Sequence, residues 1–228
     1  MSIRTYGQFC GLARALEIVG ERWAMLVVRD LVLGPKRFTD LQDSLKRIPT
    51  SILTARLNEL EESGVIRRRV LPQLDAAVVY ELTDYGSELD KIVIELASWG
   101  GRSLGKPQTG QVFTRDGAIL SLYAIFRPET AKGVHLTYEI RHPKGLTVHA
   151  LVEDGDIKCG WGSHPDADLV IEPQGAALVD LYAGDVSASE AVHSGKIKIE
   201  GRVEHLELFA KIFHVTAAPK PVAGLAVH

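Results

Sequence analysis

Thr50-Ser51-Ile52-Leu53-Thr54-Ala55-Arg56-Leu57-Asn58-Glu59-Leu60-Glu61-Glu62-Ser63-Gly64-Val65-Ile66-Arg67-Arg68-Arg69-Val70-Leu71 decides the fold of the first half of the chain. At about 100° per residue, Leu53, Leu57 and Leu60 fall on one stripe that must face a core. Ser51, Ala55 and Asn58 project oppositely, with Thr54 at the side. The spacing predicts an amphipathic helix from about Ser51 to Ser63, which Gly64 can terminate. Val65–Leu71 and Val78–Leu82 are β-branched or apolar and flank the loop Pro72–Ala77, so they predict a hairpin. Upstream lie a short helix at Thr39–Leu45 and the turn Lys46-Arg47-Ile48-Pro49-Thr50. Two earlier helices are marked by Leu12, Leu16 and Val19, then by Trp23, Leu26, Val27 and Leu31 before Gly34-Pro35. A last helix, with Thr83 as N-cap, runs to Trp99.

Helix, turn, helix and hairpin in that order describe a winged DNA-binding domain. Ser, Thr, Ala and Asn on the outer face of the second helix suit a major groove, where hydroxyls and amides bond base edges and methyls touch thymine. Glu59, Glu61 and Glu62 fill its last turns, so the N-terminal half should enter the groove. Between residues 36 and 69, Lys36, Arg37, Lys46, Arg47, Arg56, Arg67, Arg68 and Arg69 outnumber Asp40, Asp43, Glu59, Glu61 and Glu62. Arg67 to Arg69 alternate across the first wing strand, so one set can meet phosphate or minor groove while the other stays solvated. The candidate DNA contacts are Lys36, Arg37, Thr50, Ser51, Thr54, Ala55, Arg56, Asn58, Arg67, Arg68 and Arg69.

The pattern Cys10…Ala15-Leu16-Glu17…Gly20-Glu21-Arg22-Trp23…Arg29-Asp30-Leu31…Gly34…Arg37-Phe38…Leu41…Leu53…Arg56-Leu57…Leu60…Gly64…Arg68…Tyr80-Glu81-Leu82-Thr83…Gly86…Trp99-Gly100 strongly resembles the HxlR family of bacterial winged-helix transcription regulators. The resemblance covers about the first hundred residues. It implies a homodimer joined through the first and last helices of each subunit, with two recognition helices reading an inverted repeat of double-stranded DNA. Pro49 departs from the small hydroxyl residue the family often has there, which moves the expected N-cap to Thr50. Cys10 matches a cysteine that some members use as a redox switch, with Arg14 one turn on to stabilise a thiolate; the plainer reading is a packed small hydrophobe.

Trp99-Gly100-Gly101-Arg102-Ser103-Leu104-Gly105-Lys106-Pro107 breaks the pattern, and all eight histidines follow it, which places a boundary between domains 1–104 and 105–228. Strands are predicted at Val112–Thr114, Ala118–Phe126, Val134–Ile140, Leu146–Val152, Ile157–Trp161 and Asp168–Ile171, with Asp154-Gly155 as a hairpin turn. A helix from about Pro173 to Tyr182, a capping box at Ser187…Glu190, a strand at Lys196–Glu200 and a closing helix at Val203–Phe213 complete an α+β layer fold of mainly antiparallel sheet covered by helices. Ala167-Asp168-Leu169-Val170-Ile171, Leu178…Leu181…Gly184 and Glu190-Ala191…Gly195-Lys196-Ile197-Lys198-Ile199-Glu200-Gly201 resemble the sterol carrier protein fold over residues 110 to 214. That resemblance implies a tunnel for a small hydrophobic ligand. Its candidate wall residues are Tyr138, Trp161, Leu178, Leu181, Tyr182, Leu206, Phe209 and Phe213; each is also a candidate for plain core.

With 228 residues, 46% hydrophobic and 24% charged, the chain can build two cores, and a net charge of −3 excludes a histone-like binder while permitting a local basic patch. No run of about 18 apolar residues and no secretory leader appears, and two distant cysteines suit a reducing compartment, so a cytoplasmic protein with no membrane partner is expected. No GxGxxG, Walker loop, GxSxG, HxxH or HExxH spacing appears; an enzyme, a cofactor and a metal site are not expected. The reading is a homodimeric transcription regulator whose second domain binds a small hydrophobic effector that gates it, or else helps it dimerise. Competing readings are a lipid carrier whose N-terminal unit only dimerises, a thiol-based redox regulator through Cys10, and a C-terminal unit that is purely structural.

Overall fold

The computed structural model describes residues 5–71, 77–111, 113–143 and 145–219. Contacts divide the chain into Met1–Ile94 and Glu95–His228, ahead of the glycine-rich junction at 104/105. Arg102 Nε donating to the Thr216 carbonyl at 3.1 Å and the Lys106–Asp180 ion pair at 2.8 Å place that junction with the second unit.

The first unit runs α1 (Gly11–Val19), α2 (Ala24–Val32), β1 (Lys36–Arg37), α3 (Phe38–Ser44), α4 (Thr50–Glu62), β2 (Ile66–Leu71), β3 (Ala77–Leu82), α5 (Asp84–Ser87) and α6 (Leu89–Gly101), the last crossing the division. Leu53, Leu57 and Leu60 of α4 are buried together with Val27, Val28, Leu31, Leu41, Val65 and Ile66. Three strands in the order β1-β3-β2 form the wing sheet, both pairings antiparallel. Most of the predicted loop Pro72–Ala77 lies outside the described residues.

Three local features differ from expectation. The N-cap of α4 is Pro49 and not Thr50: its ring holds φ at −63° beside an extended ψ of 141°, and Thr50 becomes the first helical residue. The helix after Thr83 comes in two pieces, α5 and α6, divided at Glu88, with Ser87 Oγ donating back to the Asp84 carbonyl at 2.8 Å just before the division. Thr83 does cap α5, accepting from Gly86 N–H at 3.0 Å. The two residues of β1 form a third strand that no hydrophobic alternation announced.

The second unit runs α7 (Arg115–Ile125), β4 (His135–His142), β5 (Leu146–Glu153), β6 (Asp156–Trp161), β7 (Leu169–Pro173), α8 (Ala177–Ala183), α9 (Ala188–His193), β8 (Ile197–Gly201) and α10 (Val203–Ile212). Its sheet has the order β6-β5-β4-β7-β8, antiparallel except for the parallel pair β4–β7. Asp154 (φ 49°) and Gly155 (φ 89°) make the tight turn between β5 and β6, both at positive φ as a primed hairpin turn requires. The Ser187…Glu190 capping box forms.

The expected strand Ala118–Phe126 is instead the helix α7. Thr114 caps it by accepting from Gly117 N–H at 3.1 Å, and Ala118, Ile119, Leu120, Leu122, Ala124 and Ile125 are all buried. A helix buried on most of its circumference has no polar stripe, so its apolar run reads equally as a strand. Val112 lies outside the described residues, and Phe113 and Thr114 form no strand. The helix predicted from Pro173 starts at Ala177, because Pro173 closes β7.

A Cβ on Gly86 would collide with the carbonyl oxygen of Val65, whereas one on Gly100 meets nothing within 4 Å. Gly86→Ala should therefore cost about 1–3 kcal/mol or more. Gly100→Ala, inside α6, should be neutral or stabilising by up to about 1 kcal/mol. Urea denaturation followed by circular dichroism separates the two; equal midpoints would refute the close approach.

Candidate functional site

Burial of the leucine stripe turns the opposite face of α4 outward, and Thr50, Ser51, Thr54 and Asn58 are exposed there, with Ala55 half-buried. Thr50 Oγ1 accepts from Gln42 Nε2 at 2.6 Å and Thr54 Oγ1 donates to the Thr50 carbonyl at 2.9 Å, so both hydroxyls are oriented. Arg56 does not share that face. Its side chain is only 13% exposed and bridges Glu59 at 2.7 Å and Glu21 at 3.6 Å, tying α4 to the turn before α2. The sequence showed its charge but not these partners.

The wing register sorts the arginines. Arg37, Val79 and Arg69 lie in one row across β1, β3 and β2, and Arg67 lies opposite Glu81, so Arg37, Arg67 and Arg69 share a face. Lys36, Tyr80 and Arg68 lie on the other. Glu81 holds Arg67 and Arg69 at 2.8 Å each, and Glu61 of α4 holds Arg68 at 2.6 Å. Both sets therefore carry a carboxylate partner. Each arginine side chain remains about half exposed, and exposed pairs are worth only about 0–1 kcal/mol, so a phosphate can replace the carboxylate. Burial opposes ionisation of Glu81, but hydrogen bonds from Arg67 and then Arg69 outweigh it and hold the carboxyl below its usual range. Glu81 and Glu61 were not among the candidates; the hairpin register was the signal that could have found Glu81.

The two thiols differ. Cys10 is exposed at the N-cap of α1, and backbone N–H groups of Ala13 and then Leu12 lower its pKa. Arg14 pairs with Glu17 at 3.2 Å, so the expected thiolate partner is engaged elsewhere. Burial pushes the Cys159 thiol up to about 12.

In the second unit Tyr138, Leu178, Leu181, Leu206, Phe209 and Phe213 are buried. Their rings pack on one another: Phe209–Phe213 centroids lie 4.6 Å apart, Tyr138–Phe209 5.1 Å and Tyr182–Phe209 5.9 Å. These candidate wall residues thus pack as core side chains, ring against ring. Trp161 is the exception and a correction. It shares the inner sheet face with Tyr138 by alternation, but lies at the end of edge strand β6 and is 61% exposed, with the Arg115 guanidinium 4.1 Å above its ring. An open cleft of about 200 Å³ adjoins it, lined also by Leu146, Thr147 and Ser163.

The outer sheet face carries a polar network the sequence did not single out. Buried Glu139 accepts from Arg141 Nε at 2.7 Å and from His164 N–H at 2.7 Å, while Arg141 also reaches Glu200 at 2.8 Å and Glu172 at 3.3 Å. Desolvation works against the Glu139 charge, but the His164 N–H and Arg141 outweigh it and keep its pKa low. Among the described residues, no three His, Cys, Asp or Glu side chains gather as a metal site, and no helix is long and apolar enough to cross a membrane.

Comparison with known proteins divides the chain similarly. Residues 18–108 match the HxlR-like helix-turn-helix family, and residues 127–214 match the SCP-2 sterol transfer family. The HTH-type transcriptional regulator YodB of Bacillus subtilis (strain 168) is 35% identical over 85 residues, 37% of this chain and 76% of that protein. The uncharacterized HTH-type transcriptional regulator Mb3122 of Mycobacterium bovis is 36% identical over 108 residues, 47% of this chain and 66% of that one. Among solved structures, the redox regulator HypR in its oxidized form is 32% identical, with a TM-score of 0.38, and the match covers 40% of this chain and 94% of that chain.

If the ring cluster is core, Phe209→Ala should cost about 3–5 kcal/mol. Trp161→Ala, which loses mainly a surface cation–π contact, should cost less than about 1 kcal/mol. Urea midpoints of the two variants check this, and a Trp161 variant as unstable as the Phe209 one would overturn the correction.

Proposed function

Because this chain belongs to the HxlR-like helix-turn-helix family of transcriptional regulators, we propose that it acts in the cytoplasm as a homodimer on an inverted-repeat operator, as a binding protein and not an enzyme. The observation that carries this reading is α4 itself: its leucines are buried and its exposed face offers Thr50, Ser51, Thr54 and Asn58 to base edges. The wing arginines add sequence-independent affinity by neutralising phosphate. Homodimerisation is supported by two unpartnered apolar faces, Leu12 and Leu16 on α1 with Phe9 just before it, and Ile92, Leu96 and Trp99 on α6.

The SCP-2 match supports a small hydrophobic effector in the second unit. Since the rings of Tyr138, Phe209 and Phe213 pack against one another, an apolar molecule that took a place among them would have to separate them. Effector binding therefore selects a rearranged second unit, and it controls DNA only as far as its affinity differs between DNA-competent and incompetent dimers.

A second reading, thiol sensing, is favoured by the exposure of Cys10 and the N–H groups that lower its pKa. HypR, a redox regulator by name, is similar over 40% of this chain.

Fluorescence anisotropy on a selected operator and on mixed-sequence duplex tests the first reading. Arg68→Ala should weaken both and lower the salt slope by up to about 1. Asn58→Ala should cost about 1–3 kcal/mol on the operator alone; variants binding as wild type would sink the assignment. For the second reading, iodoacetamide at neutral pH should label Cys10 and spare Cys159 in the native protein, and peroxide should weaken operator binding of wild type but not of Cys10→Ser. A Cys10→Ser protein that still responds refutes thiol sensing.

A further inference from the structure

Beside the recognition face, the first unit has a cleft of about 400 Å³ whose walls include Glu21, Arg22, Trp23, Arg47, Ile52 and Arg56. It lies where the turn before α2 meets the N-terminal turns of α4. Two features hold that turn in place. Arg56 bridges Glu21 and Glu59, linking the turn to α4. Trp23 adopts φ 80°, a left-handed conformation unusual for a bulky residue, and so fixes the path of the chain from Arg22 into α2. The cleft therefore keeps a constant offset from the residues proposed to read bases.

Its chemistry has two halves. Arg22, exposed and 5.4 Å from the Trp23 ring centroid, and Arg47, exposed in the turn before Pro49, bring positive charge; with Arg56 they outnumber Glu21 and Glu59 and leave a local positive excess. Trp23, Pro49 and Ile52 supply apolar wall. A cation pair beside an apolar wall matches a sugar–phosphate unit, in which an anion adjoins a deoxyribose. The cleft also reaches the N-terminal turn of α4 beside Thr50 and Ser51, since Pro49 caps that helix and Ile52 is exposed in it.

We propose that this cleft receives the backbone of duplex DNA flanking the bases read by α4, with Arg22 and Arg47 on a phosphate and Trp23 and Ile52 against its sugar. The proposal rests on the DNA-binding reading above. It adds a contact that positions the duplex without reading sequence, at a site separate from the wing.

The test is fluorescence anisotropy with a fluorescein-labelled, mixed-sequence 30-base-pair duplex over a salt series, using the full chain. Arg22→Ala and Arg47→Ala should each weaken binding several-fold and flatten the log K against log salt slope by about 0.9, the double variant by about twice that. Arg22→Lys should restore most of the slope, because it keeps the charge, and Arg115→Ala in the second unit should change nothing. Circular dichroism melting confirms that each variant is folded. Unchanged slopes in the Ala variants, with wild type binding in a salt-dependent way, overturn this proposal alone. A loss of affinity without a change of slope assigns the cleft to another occupant, such as a small anion, and also overturns it. A wild-type protein with no salt-dependent DNA affinity overturns both this proposal and the DNA-binding reading.

Discussion

Burial of three leucines on α4 is the constraint on which the first unit depends. Leu53, Leu57 and Leu60 are essentially inaccessible, and full burial of each is worth about 1.5–3 kcal/mol, against about 0–1 kcal/mol for an exposed ion pair. The leucines thus set the rotation of α4, and with it which hydroxyls and amide face outward. The charges around the helix adjust to that position. Arg56 is the partial exception, because it is mostly buried and joins α4 to the preceding turn.

This hierarchy explains what the sequence disclosed. A stripe of leucines at helical spacing survives translation into structure because burial dominates the energy, so α4 and its exposed face were legible. The pairings of Arg56, Arg67, Arg68 and Arg69 were not, because each depends on a register or a tertiary approach that a linear charge pattern does not encode. Pro49 was misjudged for a related reason: hydroxyl capping is the common solution, but a proline ring reaches the same extended geometry without a side-chain hydrogen bond.

In the second unit the strands with clean alternation, β4 and β5, were readable, and α7 was not, since a helix covered on most sides loses the polar stripe that identifies it. Trp161 shows the limit of alternation in another way. Period two gives the face of the sheet but not how far along the strand the covering helices extend, and Trp161 stands beyond that cover. The ring cluster of Tyr138, Phe209 and Phe213 gives the sheet its core, and the same contacts make any ligand site in that space a matter of exchange between side chains and guest.

Glu81 and Glu61 give the wing its own internal counterions. Three arginines meet two carboxylates there, and Lys36 and Arg37 of β1 lie in the same sheet, so the wing keeps a positive excess although three of its guanidiniums are already paired within the protein. On the DNA-binding reading proposed above, each of these arginines would have to exchange a carboxylate for a phosphate, so its net contribution would be smaller than that of an arginine with no internal partner.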